Sequence, residues 1–310
     1  MKTAFVFPGQ GAQYIGMALD FIQSDPHNLE TINSFDIAHN TTLKQIMLEG
    51  PEDSLKQTSY TQPAILFHSI AAYRHFTAHS KVQPSFVAGH SLGEFSALVA
   101  AGMLSQKDAM HIVHKRGEYM IKANAGVPFA MAAIIGLDAG TVVEICSEAS
   151  GAGLVQAVNF NTPIQTVISG TAEGVAAAGE LAKGKGAKRV LPLVVGGPFH
   201  TPLIAQASLW LYDEMKTFNF HNSEIPVVSN LDALPSTDGI AERDKLAKQI
   251  ISPVRWVECV EFMISQGVTR FIEFGPQKVL GGMIKNISKD AEVFSVDKIE
   301  DVDAVVSVTG

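Results

Sequence analysis

The sequence predicts an α/β protein with a largely parallel sheet covered on both faces, because short apolar runs closed by glycine or proline alternate with segments of helical period. A second observation predicts a smaller unit set into the first. Between residues 127 and 196 the periodicity runs strand, helix, strand, strand, helix, strand. The third is size: 310 residues, 46% hydrophobic and 17% charged, suffice for one large core or a core with a small added unit.

Residues 3–7 (Thr-Ala-Phe-Val-Phe) read as a buried strand stopped by Pro8-Gly9, and residues 86–89 as a second one ending in glycine; each feeds a helix. Pro63 is read in the first turn of a helix through Ile65, Leu66, Ile70 and Tyr73, where its missing N–H costs little. Further helical segments are 94–101, 106–123, 245–251, 257–266 and 279–288, and core strands are 227–229 and 270–274. In the inserted stretch, strands are expected at 129–137, 154–159, 165–169 and 189–195, with helices at 139–149 and 173–183. That β-α-β-β-α-β order is the ferredoxin-like pattern. It divides the chain into a core of 1–126 and 197–310 and an inserted subdomain of 127–196.

Several functional classes fall away at this stage. A formal net charge of −8 opposes general nucleic-acid binding, which needs a broad basic surface. No apolar run approaches the roughly 20 residues of a membrane helix. Met1-Lys2-Thr3 runs straight into a strand, leaving no room for the apolar segment of a signal peptide, so a cytoplasmic protein with no membrane partner is expected. Cys146 and Cys259 belong to neither a CxxC nor a Cys/His cluster, so they read as buried thiols with no metal site.

The residues that carry chemistry centre on Gly89-His90-Ser91-Leu92-Gly93, a G-x-S-x-G between an apolar strand and a helix. This is the context of a nucleophile elbow and reads the core as α/β-hydrolase-like. The turn exposes a serine hydroxyl at a strand's carboxyl end, and the amide of Leu92 at the helix start points where an oxyanion forms. Serine needs a base. His90 is adjacent, but neighbours on a sharp turn point apart. His68, His75, His79, His111 and His114 lie in amphipathic helical patterns, where packing or solvation is the default. His200 instead follows the Gly196-Gly197-Pro198 break at a strand end. Tyr14 stands where a dinucleotide-binding G-x-G-x-x-G needs glycine, so that reading of the first turn fails. The Gln10 amide there is either a second oxyanion donor or part of a plain turn, and Arg116 alone reads as a surface arginine.

Taken together, Phe5-Val-Phe-Pro-Gly-Gln-Gly-Ala-Gln13, Gly89-His-Ser-Leu-Gly-Glu-Phe-Ser96, Lys115-Arg-Gly-Glu-Tyr-Met120, Gly197-Pro-Phe-His200 and Phe274-Gly-Pro-Gln-Lys-Val-Leu280 resemble the malonyl-CoA:acyl carrier protein transacylases. The motif pair PGQG and GHSLGE also occurs in polyketide synthase acyltransferase domains. The resemblance implies Ser91 as the acylated nucleophile, His200 as its base, and the amides of Gln10 and Leu92 as oxyanion hole. It makes Arg116 the clamp for the substrate carboxylate, a task suited to a planar guanidinium fork. It also implies a main-chain carbonyl, here that of Gln249, as the orienter of the histidine. Phe199 with Leu92 implies malonyl over methylmalonyl, a choice in which one methyl is worth about 1–3 kcal/mol. Ala12, Ile121 and Thr201 depart from the commonest family pattern.

The implied reaction is ping-pong transfer from malonyl-CoA to the phosphopantetheine thiol of an acyl carrier protein, with no metal or prosthetic group and with the enzyme a monomer. Lys183, Lys185, Lys188 and Arg189 read either as a docking patch for an acidic carrier or as a solvated turn. Fatty-acid synthesis is the default pathway, and a discrete polyketide acyltransferase the alternative. A serine hydrolase or thioesterase and a non-catalytic carrier-binding scaffold are the rival classes.

Overall fold

In the computed structural model, residues 1–124 and 126–309 are described; Ala125 and Gly310, within the predicted 1–126 and 197–310 ranges, lie outside them. The first half runs β1 (Lys2–Phe7), α1 (Leu19–Ser24), α2 (Pro26–His39), α3 (Leu43–Glu49), α4 (Glu52–Leu55), α5 (Thr58–His79), β2 (Phe86–Gly89), α6 (Gly93–Ala100) and α7 (Gln106–Lys122). Next come β3 (Phe129–Ile135), α8 (Ala139–Ala149), β4 (Val155–Thr162), β5 (Gln165–Thr171), α9 (Ala172–Gly184) and β6 (Arg189–Pro192). After a 3-10 turn at Pro202–Ile204 the chain continues through α10 (Ala205–Met215), β7 (Val227–Val228), β8 (Pro235–Ser236), α11 (Gly239–Gln249) and α12 (Trp256–Ser265). It ends with β9 (Val268–Phe274), α13 (Val279–Ile287), β10 (Glu292–Val296) and α14 (Ile299–Thr309).

The protein is α/β. Its larger sheet has the order β10-β9-β1-β2-β7-β8, parallel except for the β7–β8 pair. β1 shows why both faces must be covered. Successive side chains of a strand point to opposite faces, so Phe5 and Phe7 enter one core cluster while Ala4 and Val6 enter another. The first cluster draws on α5, α6 and α7, and the second on α12 and α13. The carboxyl ends of β1 and β2 therefore emerge together from between two helical layers, where open α/β sheets place their sites.

The smaller sheet is antiparallel, with the order β4-β5-β3-β6. Its two helices lie on one side, and Val142, Ile145, Val175, Ala178 and Ala182 pack against Ile134 and Ile168. Asp138 caps α8 by accepting from the Thr141 amide (2.9 Å), and Thr171 caps α9 by accepting from Gly174 (3.2 Å). β4 runs past the expected residue 159 to Thr162, because its outer edge is stitched to the core. The Phe160 amide donates to the Val254 carbonyl (3.0 Å), and the Val254 amide to Val158 (2.8 Å). β6 stops at Pro192, short of the expected residue 195.

Two helix starts differ from expectation. α5 begins five residues before Pro63, which lies inside the helix. Proline leaves the carbonyl four residues back without its usual donor. That carbonyl, Ser59 O, is taken instead by His114 Nδ1 of α7 at 2.9 Å. α11 begins at Gly239, not at residue 245, because Asp238 Oδ1 accepts from the amides of Ile240 (2.9 Å) and Ala241 (3.1 Å).

The glycines flanking Ser91 are required by backbone approach. A Cβ on Gly89 would lie 1.9 Å from the Gly93 carbonyl carbon, and one on Gly93 would lie 2.0 Å from the Phe7 oxygen. The end of β1 thus sits directly against the start of α6. Gly93→Ala is expected to destabilise the protein by about 3 kcal/mol or to prevent folding, read from the urea midpoint.

Candidate active site

The nucleophile turn starts from strained backbone. Ser91 has φ 51° and His200 φ 63°, both in the left-handed region that costs L residues energy unless the surroundings hold them. At Ser91 the holder is Asn230, just after β7. Its Oδ1 accepts the Ser91 amide (2.7 Å), and its Nδ2 donates to the Gly89 carbonyl (2.7 Å). One carboxamide therefore grips the turn on both sides of His90, immediately before the serine.

Ser91 Oγ lies 3.0 Å from His200 Nε2, and His200 Nδ1 lies 2.8 Å from the main-chain oxygen of Gln249. A carbonyl only accepts, so Nδ1 carries the proton and Nε2 presents a lone pair to the hydroxyl. His200 is buried, and burial lowers its pKa to about 3, with the Arg116 charge adding to the shift and the Gln249 bond opposing it. The ring is neutral and able to accept a proton.

Arg116 is 1% exposed, far from the surface position its isolated reading suggested. It lies on the buried stripe of α7 with Ile112, Val113 and Met120. Nη1 donates to Gln62 Oε1 (2.9 Å), while Nη2 donates to Ser91 Oγ (3.1 Å) and Gln249 Oε1 (3.0 Å). Nε has no protein partner among the described residues, and the guanidinium stands 5.8 Å from the Phe95 ring centroid. Burial lowers its pKa to about 10, with Glu94 opposing, so it stays charged at neutral pH. A buried cation bonded to neutral oxygens is a receptor for an anion.

These groups face a cavity of about 180 Å³. Gly9, Gln10, Ser91 and Leu92 form its polar side, and Met120, Met131, Leu193, Val195, Phe199 and Met283 its apolar walls. Among the described residues, no protein acceptor takes the amide hydrogens of Gln10 or Leu92. Phe199, adjacent to His200 in sequence, is buried in the wall. His90 turns away from His200, with Nε2 2.8 Å from Asn161 Oδ1 and its ring edge-on to Trp256.

The chain matches the family model described as "Acyl transferase domain" over residues 4–303. It belongs to that family. A malonyl CoA-acyl carrier protein transacylase from Bacillus subtilis (strain 168) is 42% identical over 306 residues, 98% of this chain and 96% of that protein. An acyl-carrier-protein S-malonyltransferase structure from Burkholderia pseudomallei 1710b superposes with TM-score 0.94 at 44% identity, covering 99% of this chain and 100% of that one. A solved malonyl-transacylase in complex with a type II PKS acyl-carrier protein matches with TM-score 0.95 at 38% identity, covering the whole of both chains.

The four basic residues read as a docking patch lie apart from this acyl transferase pocket. Lys183, Lys185, Lys188 and Arg189 are exposed at the end of α9 and the start of β6, and none lines the cavity. Lys183 pairs with Glu180 (2.7 Å) and Lys185 with Glu148 (2.5 Å). Sequence reasoning missed Asn230, Gln62 and Glu94, all buried and all bonded to a site residue or its holder. Among the described residues, no helix is long and apolar enough to cross a membrane.

Two outcomes follow from this geometry. Asn230→Ala leaves the Ser91 amide and Gly89 carbonyl without their partner and is expected to cost about 1–3 kcal/mol in a urea titration. Serine acylation should slow with it. His200 releases its proton more readily folded than unfolded, so stability is full above its ordinary value of 6.5 and is lost as pH falls toward about 3. In His200→Gln, unfolding free energy measured between pH 6.5 and 5 should fall less steeply than in the wild type, by about 1 kcal/mol per pH unit.

Proposed function

We propose that this protein moves a malonyl group from malonyl-CoA to the phosphopantetheine thiol of an acyl carrier protein through a malonyl-Ser91 intermediate. The observation that carries the reading is Arg116, a buried guanidinium that bonds the serine oxygen itself and, among the described residues, makes no direct salt bridge to a carboxylate. An enzyme for neutral acyl groups has no use for such a cation. An acyl group ending in a carboxylate supplies its counter-ion and is held with its thioester at Ser91.

In this reading His200 Nε2 takes the Ser91 proton as Oγ attacks the thioester carbonyl. The amides of Gln10 and Leu92 receive the developing oxyanion. Collapse breaks the carbon–sulfur bond, and the imidazolium returns its proton to the departing coenzyme A thiolate. The carrier's thiol then gives its proton to His200 and attacks the malonyl ester, and Ser91 regains a proton as it leaves. The Gln249 carbonyl keeps His200 in the required tautomer throughout, doing for orientation what an aspartate does in other serine enzymes. The chemistry calls for no metal or prosthetic group. Phe199 crowds the acyl C2 position and favours malonyl over its methyl homologue.

The strand orders support an α/β-hydrolase-like core of 1–126 and 197–310 carrying a ferredoxin-like insertion at 127–196. We assign the protein to the cytoplasm as a monomer serving fatty-acid synthesis. A polyketide carrier is the second reading, favoured by the similarity to a transacylase solved with such a carrier. Docking through Lys183, Lys185, Lys188 and Arg189 is the weaker element, since two of the four already pair with neighbouring carboxylates.

The test is intact-mass measurement after mixing with malonyl-CoA. A malonyl adduct should form on the wild type and be absent in Ser91→Ala. Arg116→Ala is expected to reduce malonyl transfer roughly 100-fold, the scale for breaking a buried charge pair, without reducing acetyl transfer. Equal loss with both acyl groups would exclude a carboxylate clamp.

A further inference from the structure

Beneath the nucleophile turn lies a carboxylate that the proposed mechanism does not use. Glu94, in the first turn of α6, is 0% exposed. One oxygen accepts the Asn230 amide (2.8 Å) and Gln249 Nε2 (2.8 Å), and the other accepts Ser229 Oγ (3.0 Å). Asn230 grips the Ser91 turn. Gln249 bonds His200 through its main chain, and Arg116 and the Ser91 carbonyl through its side chain. The orientation of that side chain is dictated by chemistry. Glu94 and the Ser91 carbonyl only accept, so the Gln249 nitrogen must face them and its oxygen must face Arg116, which only donates.

Burial pushes the Glu94 carboxyl up, while the Asn230 amide, Gln249 Nε2, the Ser229 hydroxyl and the field of Lys245 oppose that shift and favour its charged form. A second buried carboxyl, Glu242, lies in its field and is pushed up to about 8 by burial and by Glu94. Glu242 has Lys245 Nζ 3.1 Å away but, among the described residues, none of the amide donors that hold Glu94. Of the two, the proton belongs on Glu242 and the negative charge on Glu94. The charged and titratable groups around Glu94 are Arg116 on α7, Glu242 and Lys245 on α11, Asp232 after β7 and Cys259 on α12, while Arg116 and His90 act on His200.

We propose that Glu94 is a positioning residue that acts as the fixed counter-charge of Arg116, holding Gln249 against the guanidinium and keeping its grip on the acyl carboxylate loose enough for the malonyl group to be handed on. The inference rests on the transfer reading above. A guanidinium with no anion nearby would bind a carboxylate tightly in the ground state, and uniform tightening of substrate and transition state adds nothing to turnover. With Glu94 beneath it, the bound malonyl carboxylate is the second anion around one cation. That arrangement favours the imidazolium formed when His200 takes the serine proton, because Arg116 is then neutralised and Glu94 remains.

Glu94→Gln tests the charge at constant shape, since its oxygen can face Asn230 and Gln249 while its nitrogen donates to Ser229 Oγ. Malonate alone is the binding probe, by calorimetry on full-length protein. The variant is expected to bind malonate about tenfold more tightly, to lower KM for malonyl-CoA, and to lower kcat by about tenfold, while KM for acetyl-CoA stays put. A merely structural role would weaken malonate binding or lower activity with both acyl groups alike. Unchanged or weaker malonate binding overturns the proposal. If Glu94→Gln does not fold, Glu94→Asp and Glu94→Asn carry the same comparison one methylene shorter, and the asparagine variant must bind malonate more tightly of the two. A wild type that binds malonate but forms no malonyl-Ser91 overturns the transfer reading instead, and the binding comparison still judges Glu94.

Discussion

A guanidinium buried with no direct salt-bridge partner among the described residues is the constraint around which this site is built. Removing an isolated cation from water costs several kcal/mol even after relaxation, so Arg116 requires compensation from every direction. It comes from Gln62 on α5, Gln249 at the end of α11, the Ser91 hydroxyl, the face of Phe95 and the field of Glu94. These come from α5, α11, the Ser91 turn and α6. The cation therefore ties α5, α6, α7 and α11 to one point at the carboxyl ends of β1 and β2. Its placement on the core-facing stripe of α7 is tolerable only because these partners are already in register.

The second constraint is backbone strain at Ser91 and His200. Ser91 and His200 both hold positive φ, and neither is a glycine or an asparagine that would adopt it readily. Such conformations persist where surrounding contacts over-determine them. For Ser91 the contacts are Asn230 on its amide and on the preceding Gly89 carbonyl, Gln249 on its own carbonyl, and two glycines that let β1, β2 and α6 close to van der Waals distance. For His200 they are the Gln249 carbonyl on one nitrogen and Ser91 Oγ on the other. Gln249 thus appears in both sets, which makes the end of α11 as much a part of the site as the nucleophile turn.

The legible parts of the sequence were those whose signal is local. The strand before Pro8-Gly9, the strand before Gly89, and the insertion's helix at 139–149 all announce themselves through short-range periodicity and turn residues. Helices between residues 19 and 55 did not, since α2 buries only Asn28, Ile32 and Phe35 and so carries little apolar period. Pro63 misled because the donor that satisfies Ser59 O comes from His114, 55 residues away. Arg116 carried a usable signal, a charge on the apolar stripe of Ile112, Val113 and Met120, which composition alone reads as a surface residue. Asn230 and Gln62 carried none. Their roles arise from partners 139 and 54 residues distant, so nothing near them in sequence marks them out.

The two sheets divide the work of the pocket. The core built on the larger one supplies Ser91, His200, Arg116, Gln10 and Leu92 to the lining. The smaller one supplies Met131 and Val167 to the wall, and the strand leaving it supplies Leu193 and Val195. Stitching of β4 to Val254, with Asn161 against His90, closes this apolar wall over the polar groups. In such an enclosure the attraction between Arg116 and a carboxylate is screened less than in water, and bulk water has less access to Ser91. Access is what separates a transferase from a hydrolase carrying the same serine and histidine. What reaches Ser91 is therefore limited in part by the wall that the inserted unit provides.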